Sequence, residues 1–368
     1  MRVTGRILVH LIIANLVITA PAALAWWLDA RHADLYYRLV QEDHWLEWAT
    51  VWAFLLGAAA AAWAAHHQWW RHRRTPWFLL GLGLFCFFVA GEEISWGQRL
   101  FGFTPPEYFL TDNFQQELNL HNVVASDLRQ LAFQLIVLGY GVALPLAAAI
   151  PAAGRLLTKL AVVVPQPALM PAFAATAAFY AAYPFEYAGE WAELMLGLGM
   201  LTAIAANALE LRGGASSGRP AVVIAIAGAA LAALAGYATL QSTRLLHADA
   251  EELQRAAQAE LRALATDFTH ERVRTRCGVH KRVYTFRVEW GQSYLSEGRF
   301  ANLTAEGLDA TRARYFLDPW GLPYWIRHEC AGGGEVRFVY SFGPNRRRDS
   351  APREIRGDDV GVLIEGDR

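Results

Sequence analysis

The chain has 368 residues, of which 54% are hydrophobic and 18% are charged, and its formal net charge is -1. This composition excludes a disordered chain, a collagen-like chain and a small disulfide-rich protein. A near-zero net charge without a stretch dense in Lys and Arg argues against nucleic acid as a partner. Apolar runs fill residues 1–243 and the remainder reads as soluble protein, which predicts a membrane protein with a globular tail.

Seven stretches are long and apolar enough to cross a bilayer as helices, for which about 17–25 residues are needed. The first stretch follows Arg2 and Arg6 and continues through Trp26 and Trp27, so we expect a retained helix rather than a cleaved signal peptide. The seven predict an α-helical membrane bundle over residues 1–243. Their approximate ranges are 7–28, 48–66, 77–98, 130–151, 168–186, 190–209 and 220–241.

The distribution of Lys and Arg predicts the orientation, because these residues are enriched in cytoplasmic loops. The N-terminus and the alternate loops hold nine of them, and the opposite loops hold four. The N-terminus is therefore predicted to be cytoplasmic, and seven spans then place the tail in the periplasm of a bacterium, outside its inner membrane. The first set is Arg2, Arg6, Arg71, Arg73, Arg74, Arg155, Lys159, Arg212 and Arg219, and the second is Arg31, Arg38, Arg99 and Arg129.

The tail is predicted to be a small α+β domain. Residues 244–268 are expected to form a helix that continues the last span, since Leu recurs there among polar residues at a partly helical spacing. Strand signals follow at 282–290 and 335–342, and the segment 324–330 can pair with the latter across a glycine-rich turn. The domain itself is predicted to cover residues 269–368.

Two of the three cysteines lie in the predicted domain. Cys86 falls within the third apolar stretch and is expected to be a small core residue. Because the periplasm permits disulfides, Cys277 and Cys330 are either bridged or two free buried thiols. The spacing of His and Cys contains no zinc-ribbon or CxxC pattern.

Carboxylates at membrane depth are the first candidate functional residues. Glu92 and Glu93 follow 15 uncharged residues that begin at Trp77, which span roughly 22 Å of a core about 30 Å thick. Glu190 and Glu193, three residues apart, precede a similar apolar run. Carboxylates at such depth are costly and usually face a bundle interior or an aqueous cavity.

Neighbouring residues supply potential partners. If the third helix persists, Arg99 lies on the same face as Glu92 and is a candidate counter-ion. In the following loop, Glu117 and His121 have the four-residue spacing of metal ligands on a helix.

Three interpretations of these residues stay open. The carboxylates cap helices, pair with Arg or lie in headgroup water; or they form a divalent-metal or proton-handling site; or they bind a lipid or quinol headgroup. Under the second interpretation the protein is an enzyme, and its metal ligands are expected to be Glu92, Glu117, His121, Glu190 and Glu193.

Motifs in the tail resemble a known family. DPWGLPY at 318–324, SFG at 341–343 and GDDV at 357–360 are similar to the C-terminal domain of the major pseudopilin of type II secretion systems. The resemblance implies an α+β fold, a role in assembly or interaction with other membrane or secretion-type proteins, and a calcium loop. The ligands that it implies are Asp349, Asp358 and Asp359.

The chain departs from that family in two respects. No prepilin processing motif precedes the last span, and three arginines at 346–348 interrupt the loop that would bind calcium. The tail is therefore expected to act as a tethered domain rather than as a processed pilin subunit.

The N-terminal part carries two weaker resemblances. GEEISWGQR at 91–99 with NLHN at 119–122 looks like a block from bacterial polytopic membrane proteins for which no reaction is known. The same segment is similar to the EExxxR motif of CAAX-type glutamic proteases, although its arginine is spaced two residues further away and a second histidine-bearing span is missing. An assembly or interaction role is thus the first prediction, and a hydrolase-like membrane enzyme of unknown substrate is the alternative.

Overall fold

The structure is a computed structural model that describes most of the chain. The described residues are 5–41, 44–73, 75–113, 115–213, 219–246, 251–270, 275–285, 300, 302–303, 306–308, 310–330 and 334–364.

The chain folds into two units, and each of them is assembled from two separate segments of the sequence. The first unit comprises Met1–Ile94 and Val124–Leu240, and the second comprises Ser95–Val123 and Gln241–Arg368. The domain prediction kept residues 95–123 within the membrane part, whereas the structure joins them to the tail. We call this segment the 95–123 loop.

Helices form the first unit because its sequence consists largely of long apolar runs, in which polar residues are few. Two of these helices, α7 (Ser126–Leu138) and α8 (Leu144–Ala149), are joined by one π-helical turn, Gly139–Ala143, so that they form one continuous rod. The helices are α1 (Gly5–Arg31), α2 (Ala33–Leu39), α3 (Trp45–His72), α4 (Trp77–Glu93), α7 (Ser126–Leu138), α8 (Leu144–Ala149), α9 (Pro151–Lys159), α10 (Met170–Ala182), α11 (Ala188–Gly213) and α12 (Arg219–Leu246).

Within the described ranges, five helices are long and apolar enough to cross a membrane. They coincide with the first, second, fourth, sixth and seventh predicted stretches. The third stretch folds as α4, which has 17 residues, and the fifth contains the shorter apolar helix Pro167–Ala182. Membrane helices are thus plausible, while the count of seven stays a prediction. The five are Ile12–Arg31, Trp45–Trp70, Ser126–Ala149, Ala188–Leu209 and Ala221–Ser242.

The core of the first unit lies around α11, which packs against α1, α3 and α10. Trp191 is fully buried near its start. Small residues permit close approach: a Cβ atom added at Gly197 would lie 3.1 Å from the Cβ atom of Ala53. Apolar helices in lipid gain little from the hydrophobic effect on association, so this close van der Waals packing is what holds them together.

A side chain of α1 determines where α10 begins. The Asn15 carboxamide accepts a hydrogen bond from the Ala172 N–H at 2.8 Å and donates one to the Ala168 carbonyl at 2.7 Å. The first N–H groups of a helix have no partner within it, so Asn15 satisfies one of them from a neighbouring helix.

The second unit is built on a four-stranded antiparallel sheet with the order β1-β2-β3-β4. The predicted pairing of the segment 324–330 with the segment 335–342 is present. It joins β2 (Trp325–Glu329) to β3 (Val336–Ser341), with Ile326 opposite Val339. Of the predicted strand 282–290, β1 contains only the first residue, and 286–290 lie outside the described residues. The elements are α5 (Gln98–Phe101), α6 (Glu107–Asp112), α13 (Glu251–His270), β1 (Val279–Arg282), α14 (Ala310–Tyr315), β2 (Trp325–Glu329), β3 (Val336–Ser341) and β4 (Val360–Leu363).

Both faces of the sheet are covered, which explains why its strands lack a simple apolar-polar alternation. One face carries Ile326 and Val339, which share a buried cluster with Leu261 and Leu264 of α13. The predicted helix 244–268 is thus represented by the end of α12 and by α13, and the four residues between them lie outside the described part of the chain. The opposite face is aromatic, with Trp325, Phe338, Tyr340 and Phe342 buried together.

The DPWGLPY segment is a turn organised by a buried carboxylate. The Oδ1 atom of Asp318 accepts hydrogen bonds from the N–H groups of Trp320 and Leu322, and its Oδ2 atom accepts one from the Ser341 hydroxyl. Gly321 has φ +82, a conformation that side chains other than glycine rarely adopt. The turn thereby joins two of the motifs that carry the pseudopilin resemblance, DPWG and SFG.

Two buried carboxyl groups predict that the stability of the second unit depends on pH. Burial raises the pKa of Asp318 and of Asp359 to about 7, against about 3.9 in an unfolded chain. The folded state therefore binds more protons between these values, so the added stability is complete below about pH 4 and is lost as pH rises through 7. Amide exchange of β3 in the detergent-solubilised chain, corrected for its intrinsic rate, should show more protection at pH 5 than at pH 8.

Neutral variants provide the control for this prediction. In an Asp318→Asn, Asp359→Asn double variant the amides mimic the protonated acids, so protection should vary less with pH. Asp358→Asn, which alters an exposed neighbour, should leave the dependence as in the wild type. Greater protection at pH 8 than at pH 5 in the wild type would contradict the assignment.

Candidate functional site

The helix that carries Glu92 and Glu93 ends sooner than the sequence predicts. α4 stops at Glu93, and Ser95, Trp96 and Gly97 have φ values of 46, 53 and 80. A right-handed helix cannot continue through three left-handed residues. The predicted shared face of Glu92 and Arg99 is therefore wrong. Arg99 is the second residue of the next helix, α5 (Gln98–Phe101). Its side chain lies outside the described part of the structure.

Three of the predicted carboxylates do converge in the first unit. Glu93 at the end of α4 meets Glu190 and Glu193 in the first turns of α11, with one carboxylate oxygen from each lying within 4.8 Å of the others. We call these three residues the carboxylate triad. All three side chains are half-buried, whereas the adjacent Glu92 is buried, with 4% of its surface exposed.

The carboxylate triad has a definite chemical consequence. Two unit charges 4.8 Å apart repel by roughly 3 kcal/mol at an effective dielectric constant of about 20. Three full charges so close together need shared protons or a cation to offset this repulsion. Oxygen ligands alone suit a hard ion such as Mg²⁺, Ca²⁺ or Mn²⁺ rather than zinc.

Glu117 belongs to the second unit, where it organises the 95–123 loop. Its Oε2 atom accepts hydrogen bonds from the Ser95 hydroxyl at 2.7 Å and the Asn119 amide at 3.2 Å. Its Oε1 atom lies 4.0 Å from a guanidinium nitrogen of Arg282 in β1, and both side chains are buried. Glu117 therefore ties the loop to itself and to the sheet.

His121 does not share a helical face with Glu117. The chain from 113 to 125 contains turns and bends and no helix among its described residues, so the four-residue spacing is not that of metal ligands on a helix. His121 is half-buried in this loop. Of the candidates named from the sequence, the structure thus brings Glu93, Glu190 and Glu193 together, with Glu93 in the place predicted for Glu92. Glu117 and His121 belong to the other unit.

In the predicted calcium loop, the carboxylates of Asp349 and Asp359 accept hydrogen bonds, and Asp358 donates one through its backbone N–H. The Oδ2 atom of Asp349 accepts the Asp358 N–H at 3.1 Å and the Asn345 amide at 2.7 Å. Asp359 accepts the N–H groups of Asp349 and Ser350. These carboxylates act as acceptors that close the loop, and calcium binding stays a prediction.

Cys277 and Cys330 are joined by a disulfide, with their Cα atoms 5.4 Å apart. The bridge connects the residue two positions before β1 to the residue that follows β2. Cys86 is a free, buried cysteine, as the sequence led us to expect.

Several polar residues that organise the second unit were missed by the sequence analysis. Glu260 of α13 accepts hydrogen bonds from Arg312 and from the Tyr324 hydroxyl, which attaches the helix to the DPWGLPY turn. His328 lies beside the disulfide, with its Nε2 atom 3.4 Å from the Cys330 sulfur. A histidine two residues before a cysteine was the only sequence signal for this arrangement.

Comparison with protein-family profiles, with characterised proteins and with solved structures gives no match for this chain.

The position of Glu117 predicts that it stabilises the docking of the 95–123 loop. Glu117→Gln removes the negative charge that faces the buried Arg282, so we expect a loss of about 1–3 kcal/mol and faster proteolysis of the loop. Limited proteolysis of the detergent-solubilised full chain, followed by mass spectrometry, measures this.

Glu107→Gln is the matched control in the same loop. Its ion pair with Arg314 is more than half exposed on both sides, so its loss should cost about 0–1 kcal/mol. Equal protease sensitivity of the two variants would contradict a structural role for Glu117.

Proposed function

We propose that this chain is a bacterial inner-membrane protein that presents a folded domain on the periplasmic side for assembly or interaction with other membrane or secretion-type proteins. The observation that carries the proposal is the composition of the second unit, in which the 95–123 loop and the tail fold together.

Segments that form one folded unit lie on one side of a membrane. The intervening chain, Val124–Leu240, must therefore cross an even number of times. Apart from α9, which has only nine residues, its described part contains four helical rods, namely α7–α8, α10, α11 and α12. Four crossings return the chain to the side where it started, whereas omitting the short α10 would leave three. This parity supports α10 as a span and so supports the total of seven.

The orientation follows from the same count. Three rods, α1, α3 and α4, precede the 95–123 loop, so the N-terminus and the second unit are on opposite sides. The excess of Lys and Arg in the N-terminus and alternate loops favours the cytoplasm for the N-terminus. The second unit then lies in the periplasm.

The architecture of the tail supports the pseudopilin-like interpretation. A helix that follows the last span, α13, packs on an antiparallel sheet, and the motif residues Asp318 and Ser341 are hydrogen-bonded to each other inside it. Because six further membrane segments precede this helix, the domain is fixed at the membrane. We infer that it acts as a tethered interaction module rather than as a polymerising subunit.

Alkaline phosphatase fusions on either side of α10 test whether this short helix crosses the membrane. A fusion after Lys159 should be inactive and one after Tyr183 should be active, because α10 lies between them. Fusions after Arg74 and after Arg368 should be inactive and active respectively. Equal activity at Lys159 and Tyr183 would remove α10 as a span, and the reverse pattern would overturn the orientation.

The interaction role is tested in intact cells by formaldehyde cross-linking. The full chain should form discrete cross-linked species, and a chain in which alkaline phosphatase replaces residues 251–368 should not form them. Identical species from both chains would show that the tail is not the interacting part.

The carboxylate triad favours a second candidate function, a metal-dependent membrane enzyme. The observation that supports it is that Glu93 on one helix meets Glu190 and Glu193 on another. The apolar runs beside these positions predict, in addition, that they lie below the membrane surface. A bound hard cation would neutralise the charges and could polarise a substrate carbonyl or activate water.

Elemental analysis of the detergent-purified protein distinguishes these functions. If the triad binds metal, the wild type should contain about one Mg, Ca or Mn ion per chain after gel filtration. The double variant Glu190→Gln, Glu193→Gln should lose this ion. Glu186→Gln is the matched control, since it alters an exposed glutamate nearby. Equal substoichiometric metal in all three would leave shared protons as the means of neutralisation and the interaction role as the better-supported function.

A further inference from the structure

A buried histidine adjoins the disulfide of the second unit. The Nε2 atom of His328 lies 3.4 Å from the sulfur of Cys330 and 2.9 Å from a carboxylate oxygen of Glu335. Its Nδ1 atom is 2.7 Å from the hydroxyl oxygen of Thr275. Cys277, Cys330 and His328 each offer one ligand atom within 4.8 Å of the others. The sulfur and nitrogen atoms at this point are the ligands that zinc prefers.

We propose that reduction of the Cys277–Cys330 disulfide creates a zinc site. Its protein ligands are the two thiolates and the Nε2 atom of His328, and the carboxylate of Glu335 takes the fourth position. The site is absent in the oxidised protein because both sulfur atoms are consumed by the bridge.

The distances fit tetrahedral zinc with little movement. Zinc–sulfur bonds of about 2.3 Å and zinc–nitrogen bonds of about 2.0–2.1 Å place tetrahedral S and N ligands about 3.5 Å apart. The Cys330 sulfur and the His328 Nε2 atom are already 3.4 Å apart. The two sulfur atoms must separate to roughly 3.8 Å, which requires only rotation of the cysteine side chains.

The sheet holds these ligands in place without the disulfide. Val279 of β1 is paired with His328 of β2, and the Gly278 N–H donates to the His328 carbonyl at 2.8 Å. These contacts lie next to Cys277 in sequence and involve backbone atoms only. Breaking the sulfur–sulfur bond therefore leaves Cys277 beside the histidine.

The second ring nitrogen of His328 has the partner that a metal ligand needs. When Nε2 binds zinc as neutral imidazole, the proton resides on Nδ1 and is donated to Thr275 Oγ1. Metal-bound histidines usually donate this proton to a neighbouring oxygen, which orients the ring and raises its basicity. The exposed Glu335 carboxylate can approach from the solvent side, since 61% of its side-chain surface is accessible.

The conversion balances with a dithiol reductant. Two S–H bonds of the reductant and the Cys277–Cys330 bond break, two protein S–H bonds form, and the reductant leaves as its own cyclic disulfide. Two electrons and two protons are transferred. Zinc then displaces one proton from each thiol. Cys277 is exposed, so a reductant can reach the bridge directly.

Cobalt and zinc titration of the full chain tests the proposal. A Cys86→Ser background leaves Cys277 and Cys330 as the only thiols. The detergent-solubilised protein is reduced with a dithiol, freed of reductant under argon and titrated with Co²⁺ alone. One Co²⁺ per chain should bind, with the intense visible bands of a tetrahedral thiolate site, and zinc should displace it. The unreduced sample should show neither.

Ligand variants decide whether the geometry is responsible. His328→Gln should weaken zinc binding by at least about tenfold. Since His328 is buried, the variant Cys277→Ser at an exposed ligand is measured as well, and it should weaken zinc binding by a similar factor. His121→Gln is the matched histidine control and should bind as the wild type does. A reduced protein that takes up no cobalt while retaining its circular dichroism spectrum would overturn the proposal. So would cobalt binding of equal affinity in the His328→Gln variant.

Discussion

Three consecutive residues in the left-handed region of backbone space redirect the chain at the end of α4. Ser95, Trp96 and Gly97 each have a positive φ, and for the first two this conformation costs of order 1–3 kcal/mol. Buried hydrogen bonds compensate: Ser95 contacts Glu117 and Asn119, and the Gln98 carboxamide accepts the Leu118 N–H at 2.7 Å. The carboxylate triad and the separate 95–123 loop both depend on this turn.

Polar side chains make the hydrogen bonds that shape the 95–123 loop, and Leu110 adds an apolar contact with the core of the tail. The Asn113 amide donates to the carbonyls of Glu117 and Asn119, and the Gln116 amide donates to the carbonyl of Tyr315 in the tail. A buried irregular segment needs such partners, because its backbone groups have no ladder or helix to satisfy them. The loop is thereby shaped internally and attached to the tail by the same kind of contact.

Buried charged side chains have different partners on the two faces of the sheet. On the α13 face, Glu260 is neutralised by Arg312 and Tyr324. On the aromatic face, the guanidinium groups of Arg282 and Arg348 lie 4.3 Å and 4.7 Å from the ring centre of Trp325. Burial and the nearby arginines hold the pKa of His280 well below its usual value, so this imidazole is neutral in the folded protein.

The helices of the first unit were predictable because long apolar runs determine them locally, and each predicted stretch contains one. The end of α4 was not, since nothing in the letters SWG signals three successive left-handed residues. The pairing of β2 with β3 followed from the short glycine-rich turn, whereas the partner of β1 lies more than forty residues away in sequence. The carboxylate triad could be predicted in part. The apolar runs beside Glu93 and Glu193 predicted that both lie at a similar depth in the membrane, but only the three-dimensional structure shows that Glu117 belongs to the other unit.

The discontinuity of the second unit has a consequence for biosynthesis. The 95–123 loop leaves the ribosome about 120 residues before the tail, which at about 5–20 residues per second is a delay on the order of ten seconds. During this interval Asn113, Gln116 and Glu117 face water without the sheet that later receives them. The loop can therefore reach its final structure only after the C-terminal part of the chain has been synthesised.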